Sequence, residues 1–134
     1  MHRRKKGSKY NSKKVTLNGV TYDSKQEAYR YVELSHLRYH EMITDLTRQG
    51  SIPLVVNGYI ITSYTPDFSY YDLRTGTYVI EDVKGMLLSD ARLRMRILQA
   101  LRPDVEVRIF PIPLKNPLLL KRSQPDVVYD VEQP

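Results

Sequence analysis

The sequence predicts a mixed α/β layer fold, a sheet packed by helices. Three observations carry that prediction. Two Asn-Gly dipeptides, Asn18-Gly19 and Asn57-Gly58, sit between alternating segments and are strong hairpin signals. Two stretches, one after Asp23 and one after Leu88, have helical spacing and a start signal. The resulting order is strand, helix, several hairpin strands, helix, strand. A chain of 134 residues fits one domain and would hardly build two full cores.

Val15 to Tyr22 alternates about the first Asn-Gly and predicts a hairpin. Asp23 to Glu27 opens a helix, and Ser24 and Glu27 have capping-box spacing. Ala28, Tyr31, Val32, Ser35 and Tyr39 follow three and four apart, so they form the expected packing face, and the helix fades near Glu41 or Met42. Tyr29, Tyr31 and Tyr39 are expected in the core or at an interface. Ile43 to Arg48 predicts a short strand, with a turn at Gln49-Gly50-Ser51. Ile52 to Val56 and Tyr59 to Tyr64 form the second hairpin. Asp67 to Tyr71 and Thr77 to Lys84 make a third pair around Leu73-Arg74-Thr75-Gly76. Ser89 caps a helix running to about Leu101, stopped by Pro103, and Val105 to Phe110 is the final strand. The boundaries are therefore a basic N-terminal arm over 1–14, a folded domain over 15–110, and a proline-rich C-terminal arm over 111–134. In that last arm the Leu118-Leu119-Leu120 run has no obvious core to join.

The basicity is concentrated. Residues 1–14 hold seven basic side chains and no acid, while the other 120 hold 14 basic against 15 acidic. Arg3, Arg4, Lys5, Lys6, Lys9, Lys13 and Lys14 form an arm suited to phosphates, with binding that falls steeply with salt. Tyr10, interleaved with those lysines, can stack on unpaired bases. A solvated tail without a partner is the plainer account of the same run. The absence of cysteine excludes a disulfide scaffold, a thiolate zinc site and a cysteine nucleophile, and favours the cytoplasm. No apolar run approaches a membrane span, and the charged start does not read as a signal peptide.

The stretch that carries chemistry runs from Thr65-Pro66-Asp67-Phe68 to Ile80-Glu81-Asp82-Val83-Lys84-Gly85. With a four-residue loop at 73–76, Asp72 faces Thr77 and Asp67 falls opposite Asp82, at a Cβ separation of about 4.5–5.5 Å. Asp82 and Lys84 are two apart and share a strand face. Two facing carboxylates repel, so either one is protonated or a cation lies between them. Oxygen ligands suit Mg²⁺, with Mn²⁺ able to substitute. A neighbouring lysine can orient or help deprotonate an attacking water, or stabilise charge on a phosphate. A salt-bridge patch of two aspartates and a lysine is the bland alternative.

Pro66-Asp67, fourteen intervening residues, then Asp82-x-Lys84 resembles the signature of the PD-(D/E)XK nuclease superfamily. Asp23 to Ala28 resembles the opening of the first helix in small phage endonucleases. Lys9-Tyr10-Asn11, Ser24 to Ala28, Pro66-Asp67-Phe68 and Glu81 to Gly85 together resemble a phage-borne family of uncharacterised small endonuclease-like proteins. More distantly, the chain is similar to phage Holliday-junction resolvases. The resemblance spans roughly residues 8–110. It implies a restriction-endonuclease-like mixed β-sheet flanked by helices and a metal-dependent endonuclease hydrolysing DNA phosphodiester bonds. It also implies Asp67 and Asp82 as metal ligands, Lys84 as the catalytic lysine and Glu27 as the helix carboxylate. Asp82 stands where Glu is commoner, and its shorter side chain needs a closer metal. Glu81 points to the opposite strand face but is a reserve ligand if a β-bulge exchanges the two. Glu27 also stands where capping alone would explain it.

His36 and His40 share a helix face but lack a third ligand beyond Glu41. Arg92 and Arg96 share a face of the second helix, where they can hold phosphates near the site or form a solvated surface. The expected partner is DNA, branched as in recombination or replication, acted on by a homodimer with two sites for two strands. The rival expectation is a non-catalytic nucleic-acid-binding accessory protein on the same scaffold.

Overall fold

The computed structural model describes residues 13–84, 88–111 and 116–121. Its elements in chain order are β1 (Val15–Leu17), β2 (Val20–Tyr22), α1 (Lys25–Tyr39), β3 (Ile43–Arg48), β4 (Ile52–Val56) and β5 (Tyr59–Tyr64). They continue with β6 (Phe68–Asp72), β7 (Thr77–Lys84), α2 (Ser89–Leu101), β8 (Val105–Pro111) and β9 (Leu118–Leu119). Five strands form one mixed sheet in the order β3-β6-β7-β8-β9, with β7 and β8 parallel and the other neighbours antiparallel. A parallel pair needs a crossover, and α2 supplies it. β1–β2 and β4–β5 are separate two-stranded hairpins. Both turn on Asn-Gly with both residues at positive φ, as their turn type requires. The expected α/β architecture, a mixed sheet with helices against it, is the observed one.

The alternation of β7 divides the sheet into two faces. Val79 and Val83 join Leu34 of α1, Ile43, Phe68, Tyr70 and Phe110 in one apolar cluster. Ile80 joins Met95 and Leu98 of α2, Leu54 and Tyr64 of the β4–β5 hairpin, and Val105, Val107 and Ile109 in the other. Asp82 and Lys84, even-numbered like Ile80, belong to the α2 side.

Three local expectations are corrected. The buried face of α1 is Glu27, Ala28, Arg30 and Leu34, while Tyr29 and Tyr39 are exposed and Tyr31 packs on Phe68 with ring centroids 6.0 Å apart. Of the two ionisable residues in that stripe, Arg30 meets the Glu81 carboxylate, while Glu27 meets other acids. Ser89 is the first helical residue of α2 and does not cap it; the cap is Leu88, with no side-chain bond. Finally, the chain beyond 110 is not wholly an arm. Pro111 ends β8, Leu118–Leu119 adds a strand to its open edge, and Leu120 packs on the α2-side core. There the Leu120 N–H donates to the Val107 carbonyl at 3.2 Å, and Gln99 Nε2 donates to the Leu120 carbonyl at 3.0 Å. An unpaired strand edge with a leucine run in reach is covered rather than left open.

Candidate active site

The register of the β6–β7 hairpin is Asp72 opposite Thr77 through Phe68 opposite Glu81. β6 ends at Phe68, yet β7 runs on to Lys84, held by β8 on its other side. The strands part at that point, and Asp67 and Asp82 bridge the gap with side chains instead of backbone. The Asp67 N–H donates to Asp82 Oδ1 at 3.0 Å, and the Val83 N–H donates to Asp67 Oδ2 at 2.7 Å. The Asp67 carbonyl accepts from the Gln49 N–H at 3.1 Å, which fixes the backbone on the β3 side as well. Each aspartate thus does a ladder bond's work while holding its remaining oxygen at the notch.

Glu27 arrives from the first turn of α1. Ser24 caps that turn, its Oγ accepting from the Glu27 N–H at 3.1 Å. The reciprocal half of a capping box is not made by Glu27 Oε1, which is buried with no hydrogen-bond partner. The Glu27 carboxyl is instead set against the Asp67 carboxyl. Burial, then repulsion from Asp67 and Asp23, push the Glu27 carboxyl up to about 8, with Arg48 pulling the other way. Burial likewise pushes Asp82 up to about 6, against the opposing pull of Lys84 and the Asp67 N–H. Asp67 is also raised by burial, opposed by the Val83 N–H and Lys84. Asp82 Oδ2 is the second buried carboxylate oxygen with no partner. Three acids forced together, two with an orphaned oxygen, form an arrangement that a folded chain does not gain from by itself.

Glu81 is excluded as a reserve ligand. It is fully buried on the α1 face, where Arg30 Nε and Nη2 donate to its carboxylate at 2.6 and 2.9 Å and the Tyr70 hydroxyl donates at 2.7 Å. No bulge interrupts β7 in its pairing with β6 or β8, so Glu81 and Asp82 keep their faces. The Arg30 guanidinium also lies 4.0 Å over the Phe110 ring.

Sequence reasoning missed three neighbours. Asp23, Arg48 and Gln49 join the acids: Asp23 and Arg48 act electrostatically on Glu27, and Gln49 Nε2 donates to Asp23 Oδ2 at 3.4 Å. Arg48 lies opposite Phe68 in the β3–β6 ladder, stacks 4.4 Å over the Tyr22 ring and donates to the Thr21 carbonyl at 2.7 Å. Only the β3–β6 pairing brings it here, and no local signal announces that pairing. Among the other expected residues, His36 and His40 are exposed, and so are Arg92 and Arg96 on α2 and Lys13 and Lys14 before β1. Arg3, Arg4, Lys5, Lys6, Lys9 and Tyr10 lie outside the described residues. Among the described residues, no group of three or more His, Asp or Glu side chains meets the spacing of a ready metal site. What Glu27 and Asp82 offer is one free oxygen each, beside an already engaged Asp67. No helix among the described residues is long and apolar enough to cross a membrane.

The fold and notch define a mixed α/β domain with an acid-acid-lysine hairpin beside a helix-borne glutamate. The chain belongs to a family described as protein of unknown function (DUF1064), whose model matches residues 7–115. No curated protein and no solved structure matches it.

Proposed function

We propose that this protein is a metal-dependent endonuclease of the PD-(D/E)XK superfamily that hydrolyses DNA phosphodiester bonds. The observation that carries the reading is the convergence at one notch of Asp67, Asp82 and Glu27, with buried, unpartnered oxygens on Glu27 and Asp82. Those oxygens fit a hard divalent cation, Mg²⁺ or Mn²⁺, held by Asp67 and Asp82 with Glu27. When bound, that ion would supply Lewis acidity toward the phosphate and its attacking water.

The protein's own groups do the rest. Asp67 and Asp82 are positioned by the bonds that close the notch, so little reorganisation is needed at the moment of reaction. Lys84, two residues past Asp82 on the same face, orients the water and counters charge gathering on the phosphate. Glu27 holds a proton against Asp67 while the site lacks a cation, and gives it up when one enters. The seven basic residues of 1–14 draw in the phosphate backbone. A two-fold dimer acting on branched DNA, with one site per strand, is the substrate half of the proposal. The cytoplasm of a host cell is the compartment that fits a phage-borne nuclease.

The test is nicking of matched four-way-junction, flap, single-stranded and duplex DNA in Mg²⁺ and in EDTA. Asp67→Ala and Lys84→Ala should each retain DNA binding and lose nicking. Cutting at the wild-type level by both variants, or equal cutting in EDTA, would overturn the assignment. Gel shifts unaffected by EDTA, with no turnover on any substrate, would favour the accessory-protein reading.

A further inference from the structure

Four arginines among the described residues are buried or half-buried: Arg30, Arg48, Arg94 and Arg108. Three are ion-paired. Arg30 meets Glu81 at 2.6 Å, Arg94 meets Asp90 at 3.4 Å, and Arg108 meets Asp72 at 3.1 Å. Arg48 has no carboxylate in contact among the described residues, although Glu27 is near enough to feel its charge. It is held all the same. β3 ends at Arg48, opposite Phe68, and the N–H of the next residue, Gln49, donates to the Asp67 carbonyl at 3.1 Å. The side chain therefore starts one residue from the notch. Its guanidinium lies 4.4 Å over the ring of the buried Tyr22. That ring is 5.7 Å from Tyr31, and Tyr31 is 6.0 Å from Phe68, so the platform is continuous with the α1-side core. Nη2 donates to the Thr21 carbonyl at 2.7 Å, the one hydrogen bond of this guanidinium among the described residues, and Nε is buried with no partner. A half-desolvated cation without a counter-charge costs the fold stability. One ring and one hydrogen bond fix it in place, and that makes it a preorganised receptor for an anion.

We infer that Arg48 is a phosphate-binding residue of the notch, its guanidinium taking a phosphodiester of the bound DNA strand. The inference rests on the nuclease reading only in naming that anion as a DNA phosphate; the unpaired, fixed cation is read without it. The acids of the notch repel phosphates, so a strand laid beside them needs a fixed positive charge close by. Residues 1–14 attract the strand at long range, whereas a stacked guanidinium sets its register. Its place also says which phosphate it takes. Arg48 is directly opposite Phe68, so both lie on the α1 side of the sheet, while Asp82 and Lys84 belong to the α2 side. Arg48 therefore holds a phosphate neighbouring the one that is cut. It acts on substrate placement and leaves the attacking water to the other groups.

The experiment uses the full chain and follows the salt dependence of its binding to a labelled four-way junction and a labelled duplex by fluorescence anisotropy. It is run in Mg²⁺ in the Lys84→Ala background, so that the DNA stays intact. Arg48→Met keeps the stem over Tyr22 and removes the charge; the slope of log affinity against log salt should fall by about 0.9 on duplex. Arg48→Lys keeps the charge and should keep the slope while binding less tightly. The slope counts the phosphates neutralised by whatever protein is folded, so a variant that is merely less stable keeps the wild-type value. Arg102→Met removes an equal charge at the end of α2, where Asp104 already pairs with it, and should leave the slope unchanged. With Lys84 intact, Arg48→Met should raise the KM for nicking about tenfold and leave kcat within about twofold. An unchanged slope in Arg48→Met, or an equal fall in Arg102→Met, overturns the inference whether or not the wild type nicks DNA. A slope that falls as expected in a protein that nicks nothing would sink the nuclease reading and leave the phosphate contact standing. A protein that binds neither DNA overturns both.

Discussion

Replacing Glu27 with Gln should stabilise the metal-free protein, and should do so only at high pH. The folded carboxyl is pushed up to about 8 from an ordinary 4.5. A raised acid binds its proton more tightly in the fold. Its contribution to stability is therefore complete below about pH 4.5 and is lost as pH rises through 8. Gln copies the protonated form at every pH. At about 1.4 kcal/mol per pH unit, the cost of ionising Glu27 in place is bounded by about 5 kcal/mol. Water entering the notch and side-chain relaxation leave on the order of 1–2 kcal/mol. Reversible urea unfolding in EDTA measures this directly. The two proteins should differ little near pH 5, and the variant should be the more stable at pH 8.5. A variant that is equally stable at both pH values would mean that Glu27 is a plain helix residue. A variant less stable at pH 8.5 would mean that its negative charge has a partner, and the picture of compressed acids would fail.

The remaining predictions concern ion binding and the buried pair. Mn²⁺ binding to the proposed site, followed by calorimetry, should strengthen between pH 6 and pH 8, because Glu27 at about 8 and Asp82 at about 6 must lose their protons. Asp82→Asn should abolish both the binding and the accompanying proton release; pH-independent binding would contradict the scheme. Arg30→Ala should cost about 3–5 kcal/mol in urea unfolding, since it leaves the fully buried Glu81 carboxylate with only Tyr70. A loss below about 1 kcal/mol would mean that Glu81 finds a proton or water without strain.

The hairpin that carries the acids was legible because its information is local. Loop length and strand alternation set the register, and the register sets which residues face each other. The structure has Phe68 opposite Glu81, which continues to Asp67 beside Asp82. The Asn-Gly turns and the Ser24 cap were legible for the same reason. The buried face of α1 was not. Periodicity counts apolar residues, and the stripe that goes inward contains Glu27 and Arg30, whose neighbours there are 40 and 51 positions away in the chain. Arg48 was missed because β3 reaches β6 only by a long-range pairing. β9 was missed because prolines at 111, 113 and 117 signal a break, whereas the open edge of β8 rewards two residues of pairing and a half-buried Leu120.

Glu81 and Asp82 are adjacent acids with opposite assignments, and the first explains the second. A strand slipped by one residue exchanges every side chain between its faces. In β7 that slip would send Glu81 to the notch and Asp82 into the α1-side core. Apolar residues alone would resist it weakly, since Val79 and Ile80 would each still meet a core. The Arg30–Glu81–Tyr70 network resists it strongly: a fixed guanidinium fork fits a carboxylate at one height on one face, and a slip would bury both charges unpaired. Such a pair is a poor source of net stability but a good source of register. Its role is then to hold Asp82 and Lys84 at the notch. This makes the pair testable apart from its stability cost. Replacing Arg30 and Glu81 together with apolar residues of similar volume should restore much of the stability lost in Arg30→Ala, yet leave the β7 amides near Asp82 exchanging faster with solvent. A double variant whose Val83 amide is as protected as in the wild type would show that the register is fixed elsewhere.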